Sequence, residues 1–306
     1  MAERGPYVPA VSPDLPSLPW RSTLALLERL PQAALSRSLG RIADIRLPRR
    51  LRGAIIGSFA RAVGIDAAEA EKGVAEYESI NDFFVRRLRP GARTWPADDA
   101  TAASPVDGII GEHGAITDGR LIQAKGRHYG AADLIGRRDD AVRFDGGAFI
   151  TVYLSPRHYH RIHAPCAGSI TEARYVPGAL LPVNRPAVMH IPALFPRNER
   201  VLCMIDGPLG RVAVVAVGAY NVGRISTAFD PAWAGPDGSV TNRKAEHAGE
   251  RRYDPPRAVQ QGEEIMAFHL GSTVILLFEP GTRLDAPPPG SEVRLGTIIG
   301  RRHAAG

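Results

Sequence analysis

Apolar residues recur at helical spacing in the first third of the chain and not again. Residues 22–30 (STLALLERL) form a short helical pattern that stops at Pro31. Residues 31–45 carry Leu35, Leu39 and Ile42 on one face, with Arg37 and Arg41 elsewhere. Residues 48–63 repeat Leu51, Ile55, Phe59 and Val63 at every fourth position and halt at Gly64, a helix face with its stop signal. Residues 67–90 predict two more helices, the second opened by Ser79 with Asp82 three residues on, a capping-box-like start. Beyond Pro90 the texture changes. Short apolar runs (GAFITVYLSP, RVAVVAVGA, STVILLFEPG) alternate with Gly, Pro and Asp turns and predict strands. Residues 229–262 read as a polar, Gly- and Pro-rich connection. The expectation is an α+β protein. A helical N-terminal region, residues 1–90, precedes a predominantly antiparallel β-rich body, residues 91–306, with STVILLFE as a central strand.

Charge sharpens the division. The chain carries +6 overall. Residues 1–65 hold ten arginines, no lysine and four acids (Glu3, Asp14, Glu28, Asp44), so the whole excess sits there. An apolar stripe edged with arginine suits a helix lying on an anionic bilayer; the rival reading is a helical subdomain packed on the core. A nucleic-acid surface would spread its cations over the reading domain, so nucleic acid is not an expected partner. No run of about 18 apolar residues exists, so no spanning helix is expected. The N-terminus lacks the basic start and apolar core of a secretory signal. Cys166 and Cys203 make neither a metal-ligand spacing nor a disulfide framework and read as small packed hydrophobes.

No GxSxG, Walker loop, GxGxxG or HExxH occurs, which disfavours the enzyme classes built on them. Three of nine histidines, His158, His160 and His163, fall within six residues. They read as a polar strand end, as metal ligands, or as a base for a nucleophile. Ser104–Gly108 (SPVDG) reads as a turn. Gly271-Ser272 precedes one of the most apolar runs. Together these segments supply an acid, a base and a hydroxyl, the set that activates a serine.

Seven motifs in order, LGST (270–273), YHRIH (159–163), SPVDG (104–108), INDFFVRRL (80–88), LPVN (181–184), NERV (198–201) and VGAYNVG (217–223), resemble phosphatidylserine decarboxylase. The likeness runs from about residue 22 to the end. The resemblance implies that Ser272 attacks the Gly271 carbonyl, that His163 takes the hydroxyl proton, and that Asp107 orients His163. Cleavage would leave a β chain (1–271) and an α chain (272–306), associated as a heterodimer able to dimerise further. The pyruvoyl group left at Ser272 would be the cofactor, and no metal is expected. That ketone would form a Schiff base with the serine amine of phosphatidylserine and absorb the electrons left by CO₂, giving phosphatidylethanolamine. The resemblance further implies that His160 donates a proton or holds the headgroup, with Tyr159 also in the substrate site. The enzyme would be peripheral on the cytoplasmic face of the cell membrane, held by the N-terminal arginines, with the apolar loop 180–183 also touching lipid. Where the family commonly has an acid before Tyr-His-Arg, this chain has His158. Two other readings stand beside it: a metal-dependent hydrolase using His158, His160 and His163, and a non-catalytic membrane-binding module.

Overall fold

A computed structural model describes residues 32–124, 126–220, 224–235, 237–241, 249–269 and 272–302. The helical pattern at 22–30 lies outside them, as do Leu270 and Gly271.

The N-terminal region folds as helices α1 (Gln32–Ala43), α2 (Arg49–Val63) and α3 (Ile80–Phe84). Gly64 ends α2 at φ 79°, the left-handed cap that glycine adopts without a Cβ penalty. Ser79 opens α3, its side chain accepting from the Asp82 N–H. Residues 67–78 depart from the predicted helix. They form two single 3₁₀ turns, because their backbone pairs with residues 87–89 instead: Glu71 N–H donates to Arg87 O and Arg89 N–H to Glu69 O. Ile56, Ala60, Ile65, Tyr77 and Phe83 close a small separate core. On the outer side Leu39, Ile42, Ile45 and Leu51 stay exposed.

The body begins with strands β1 (Thr101–Ala103), β2 (Gly108–Ala115), β3 (Arg120–Ala124), β4 (Arg127–Gly130), β5 (Ala148–Tyr153), β6 (Arg161–His163), β7 (Gly168–Val176) and β8 (Arg200–Gly207). It continues with β9 (Gly210–Val217), β10 (Ile225–Thr227), β11 (Gly249–Val259), β12 (Glu264–Phe268), β13 (Thr273–Phe278), β14 (Thr282–Leu284), β15 (Glu292–Val293) and β16 (Ile298–Arg302). Among the described residues the largest sheet is antiparallel, in the order β11-β7-β8-β9-β13-β5-β2-β15. A smaller one runs β10-β12-β6. The architecture is α+β.

Strand β13 is the STVILLFE run, and it is central. It pairs with β9 on one side and β5 on the other, and every residue is buried. A continuous apolar run is what a strand covered on both faces requires, each large side chain contributing roughly 1.5–3 kcal/mol. The polar connection expected at 229–262 holds an eleven-residue strand, β11. It is the sheet's edge, exposed along most of its length, with a register shift between Arg252 and Arg257 around its two prolines. Proline, arginine and a bulge are how an edge strand resists further pairing, and they erase the apolar alternation that would signal a strand. In the loop 180–183, Leu180, Leu181 and Val183 are buried and Pro182 is half-buried, so its large apolar side chains pack inside rather than dipping into lipid.

Candidate active site

The chain passes from one sheet to the other between β12 and β13. Phe268 ends a strand held by β6 and β10; Thr273 starts one held by β5 and β9. Ser272 stands at that crossing with no exposed surface. Leu154 N–H donates to its carbonyl at 2.7 Å. Its Oγ has no hydrogen-bond partner among the described residues. A buried unpaired hydroxyl costs about 1–3 kcal/mol, and such orphans call for a reason beyond packing.

The histidine segment is a loop, residues 154–160, feeding β6, so of the three histidines only His163 lies on a strand. His163 Nδ1 donates to Gly262 O at 2.7 Å, and its Nε2 accepts from Tyr159 Oη at 3.1 Å. The carbonyl accepts only, which fixes the proton on Nδ1 and leaves Nε2 basic. Trp95 lies against the ring at 5.8 Å. Burial holds the His163 pKa below its usual value, partly offset by the Gly262 bond. His160 is fully buried and tilted on Phe84 at 4.1 Å. Its Nδ1 donates to His158 O at 2.8 Å, and Nε2 has no described partner. Burial, then Arg86, drives its pKa far down. His158 Nδ1 accepts the Ser155 N–H at 3.0 Å, with the Ser155 hydroxyl at 3.2 Å. Burial pushes its pKa to about 4, so this imidazole does an acceptor's work without a carboxylate's charge.

Asp107 ends the SPVDG turn. Its carboxylate accepts from Arg93 Nε at 3.0 Å, Arg93 Nη2 at 2.5 Å and Leu295 N at 2.7 Å. Arg93 also reaches Glu69 at 2.8 Å. The turn is pressed onto the β5 end: a Cβ on Gly108 would lie 2.6 Å from Val152 Cγ1 and 2.7 Å from Tyr153 O. His163 N–H donates to Pro105 O at 2.9 Å. The fold therefore draws the turn, His163, Leu154 and Ser272 together through backbone contacts. It does not link the Asp107, His163 and Ser272 side chains to one another by hydrogen bonds. Gly262 rather than Asp107 receives the His163 Nδ1 proton, and Asp107 reaches His163 through its charge. No three His, Cys, Asp or Glu side chains converge as metal ligands among the described residues.

Tyr159 and His163 open, with Arg93, Trp95 and Glu264, onto a cleft of about 290 Å³. A smaller, mainly apolar cavity of about 40 Å³ lies beside Thr273, lined by Thr151, Val183, Val188 and Phe195. Sequence reasoning missed Arg93, Glu69, Trp95 and Gly262. Each acts through a partner distant in sequence or through its backbone, and no motif marks such a role.

Residues 80–301 match the family model described as Phosphatidylserine decarboxylase. A protein of Anaeromyxobacter sp. (strain K) is 45% identical over 92% of this chain and 98% of its own length. One from Myxococcus xanthus is 40% identical over 90% and 97%, and one from Methylibium petroleiphilum 44% over 88% and 94%. All three are named phosphatidylserine decarboxylase proenzyme. With the family model covering most of the chain and relatives this similar over nearly their full lengths, the chain belongs to the phosphatidylserine decarboxylase family.

Proposed function

We propose that the chain is made whole, breaks its own backbone between Gly271 and Ser272, and so becomes a decarboxylase converting phosphatidylserine to phosphatidylethanolamine and CO₂. The observation that carries this reading is Ser272: a sealed hydroxyl, bonded to no described residue, on a crossing whose two ends belong to different sheets.

Ser272 Oγ adds to the Gly271 carbonyl carbon and the C–N bond breaks, so the amide becomes an ester. The hydroxyl proton passes to His163 Nε2, the nitrogen its Gly262 bond leaves basic, and from there to the expelled Ser272 nitrogen, which becomes a free amine. Loss of the Ser272 α proton expels the Gly271 carboxylate from Cβ and leaves dehydroalanine. Water then displaces ammonia, one molecule for one, and residue 272 ends as a pyruvoyl group. Asp107, paired with Arg93, stabilises the imidazolium electrostatically.

A group on residue 272 fits its surroundings. It would stand just ahead of β13 beside Thr273, whose hydroxyl also lacks a described partner and which lines the apolar cavity. The ketone supplies a sink for the electron pair left by CO₂. Burial keeps His160 neutral, so its Nε2, which has no described partner, is an acceptor suited to holding a donor of the headgroup. Tyr159 and His163 line the open cleft and are the substrate-facing groups there.

The 1–90 region is the membrane-associating part and 91–306 the catalytic domain. Exposed Leu39, Ile42, Ile45 and Leu51 lie among exposed Arg41, Arg46, Arg49 and Arg50, each cation worth roughly 1 kcal/mol near an anionic surface. No helix among the described residues is long and apolar enough to cross a membrane. A peripheral enzyme on the cytoplasmic leaflet accords with both.

Intact mass spectrometry under denaturing conditions tests the reading. The expected result is two fragments divided at 271/272, the smaller blocked to N-terminal sequencing, and CO₂ release from phosphatidylserine vesicles. Ser272→Ala is expected to remain one chain; normal cleavage in that variant sinks the proposal.

A further inference from the structure

His269 lies two residues before Gly271 and takes no part in the chemistry above. It leaves β12 with its N–H donating to Arg224 O at 3.0 Å. Asn81, in α3, sends one amide nitrogen to Asp44 Oδ1 at 2.8 Å and to His269 Nδ1 at 3.3 Å. A carboxylate only accepts, so that atom is the NH₂ group and His269 Nδ1 is an acceptor. The proton then sits on Nε2, which donates to Ser226 Oγ at 3.1 Å. Arg224 holds Asp44 in turn, at 2.7 and 3.0 Å. The residue as a whole is half-buried, but its imidazole is enclosed, and burial pushes the pKa down to about 4. The ring is therefore neutral near pH 7, as this two-sided bonding demands.

We propose that His269 is a positioning residue for self-cleavage: Asn81 and Ser226 clamp its imidazole, and the N-terminal helical region thereby fixes the upstream end of the segment to be cut. The inference rests on the self-cleavage reading above. Downstream, Leu154 N–H fixes the Ser272 carbonyl. Three peptide units separate the two anchors, a reach on the order of 10 Å. So short a span hands any displacement of His269 to the scissile bond. A misplacement of about 1 Å at a reacting centre can cost around 100-fold in rate. Asp44, just past α1, and Asn81, in α3, belong to the N-terminal region, whereas Ser226, Arg224 and His269 belong to the body, so the contact joins the two regions at the place where the chain is to break.

The test is a time course of self-cleavage after cell-free synthesis, followed on denaturing gels. His269→Leu and Asn81→Ala are expected to cut at least about tenfold more slowly than the unaltered chain, by the same proximity argument. His269→Gln, whose amide can accept from Asn81 and donate to Ser226, is expected to stay within about threefold, since both hydrogen bonds survive. The double variant is expected to be no slower than His269→Leu alone, as for residues acting through one contact. Unchanged cutting in His269→Leu, or a Gln variant as slow as Leu, overturns the proposal. Should His269→Leu fail to fold, the Gln and Asn81 variants decide it. An unaltered chain that never cuts would instead overturn the self-cleavage reading, a distinct result.

Discussion

His163 gives its Nδ1 proton to the carbonyl of Gly262 across 2.7 Å, on a residue that stands at φ +85°. A Cβ there would lie 2.5 Å from Trp95 Cε2, and Trp95 stacks on His163. The glycine thus sets both the tautomer and the seat of the imidazole. Gly262→Ala should strain the backbone by about 1–2 kcal/mol and displace Trp95, which a Cβ would meet at 2.5 Å. Self-cleavage should slow at least about tenfold, given the tolerance of reacting geometry. Timed gels on freshly made protein measure this, and an unaltered rate would show that the clamp does not matter.

Acid should act on the same histidine. His163 must be neutral to accept a proton, and burial holds its pKa below the ordinary 6.5. The cleavage rate should be flat from pH 8 to 7, by this ordering of pKa values, and fall on further acidification. Tyr159 Oη donates to Nε2, which favours the neutral ring. Tyr159→Phe removes that bond and should move the fall to higher pH. A fall that moves to lower pH, or not at all, would contradict the assigned hydrogen-bond direction.

Stability should follow pH with the same sign. His158 and His269 are each held near pKa 4 by burial, against 6.5 for the free side chain. Between those values the unfolded chain binds protons that the native chain refuses, so stability rises with pH and is lost as pH falls from about 6.5 toward 4. Thermal melts of Ser272→Ala across that window should show the midpoint dropping. Replacing His158 and His269 by glutamine should flatten the drop.

Arg93 ties the turn bearing Asp107 to the N-terminal region through Glu69. Its side chain is 6% exposed and that of Asp107 12%. Arg93→Ala leaves a buried carboxylate with the Leu295 N–H and loses the bidentate cation. Breaking such a pair on one side costs about 3–5 kcal/mol. Denaturant unfolding of the uncut Ser272→Ala chain should show a loss of that size, which Arg93→Lys should recover only in part, because an ammonium cannot span both oxygens. Full recovery by lysine would mean that charge alone matters.

Much of this was legible because it is local. Ser79 and Asp82 announce a helix start, and Val274–Phe278 announces a buried strand, through neighbours in sequence. The misses are non-local. Residues 67–78 have helical composition, yet their backbone pairs with 87–89. Strand β11 lacks an apolar face because it is an exposed edge. LGST, YHRIH and SPVDG carry the resemblance through local sequence, but the partner His163 uses for its Nδ1 proton is a backbone carbonyl 99 residues away, and a carbonyl leaves no mark in a sequence. Asp107 was assigned to His163 by resemblance; its charge is near, but its hydrogen bonds go to Arg93 and Leu295.

The 272–306 fragment should remain bound after the cut. It contributes β13 to the middle of the large sheet, β15 to the end of that sheet beside β2, and β16 to a pairing with β1. Val274, Ile275, Leu276, Leu277 and Phe278 are fully buried. At roughly 1.5–3 kcal/mol for each side chain, their exposure alone would oppose release by about 10 kcal/mol, before any backbone pairing is counted. Both cysteines lie in the other fragment and are free, so no disulfide joins the two. Cut protein should therefore elute as one species on size exclusion under native conditions, with or without reductant. It should separate into two only in denaturant, at the concentration that unfolds the whole. A small fragment released under native conditions would mean that β13 is not held as its pairing with β5 and β9 requires.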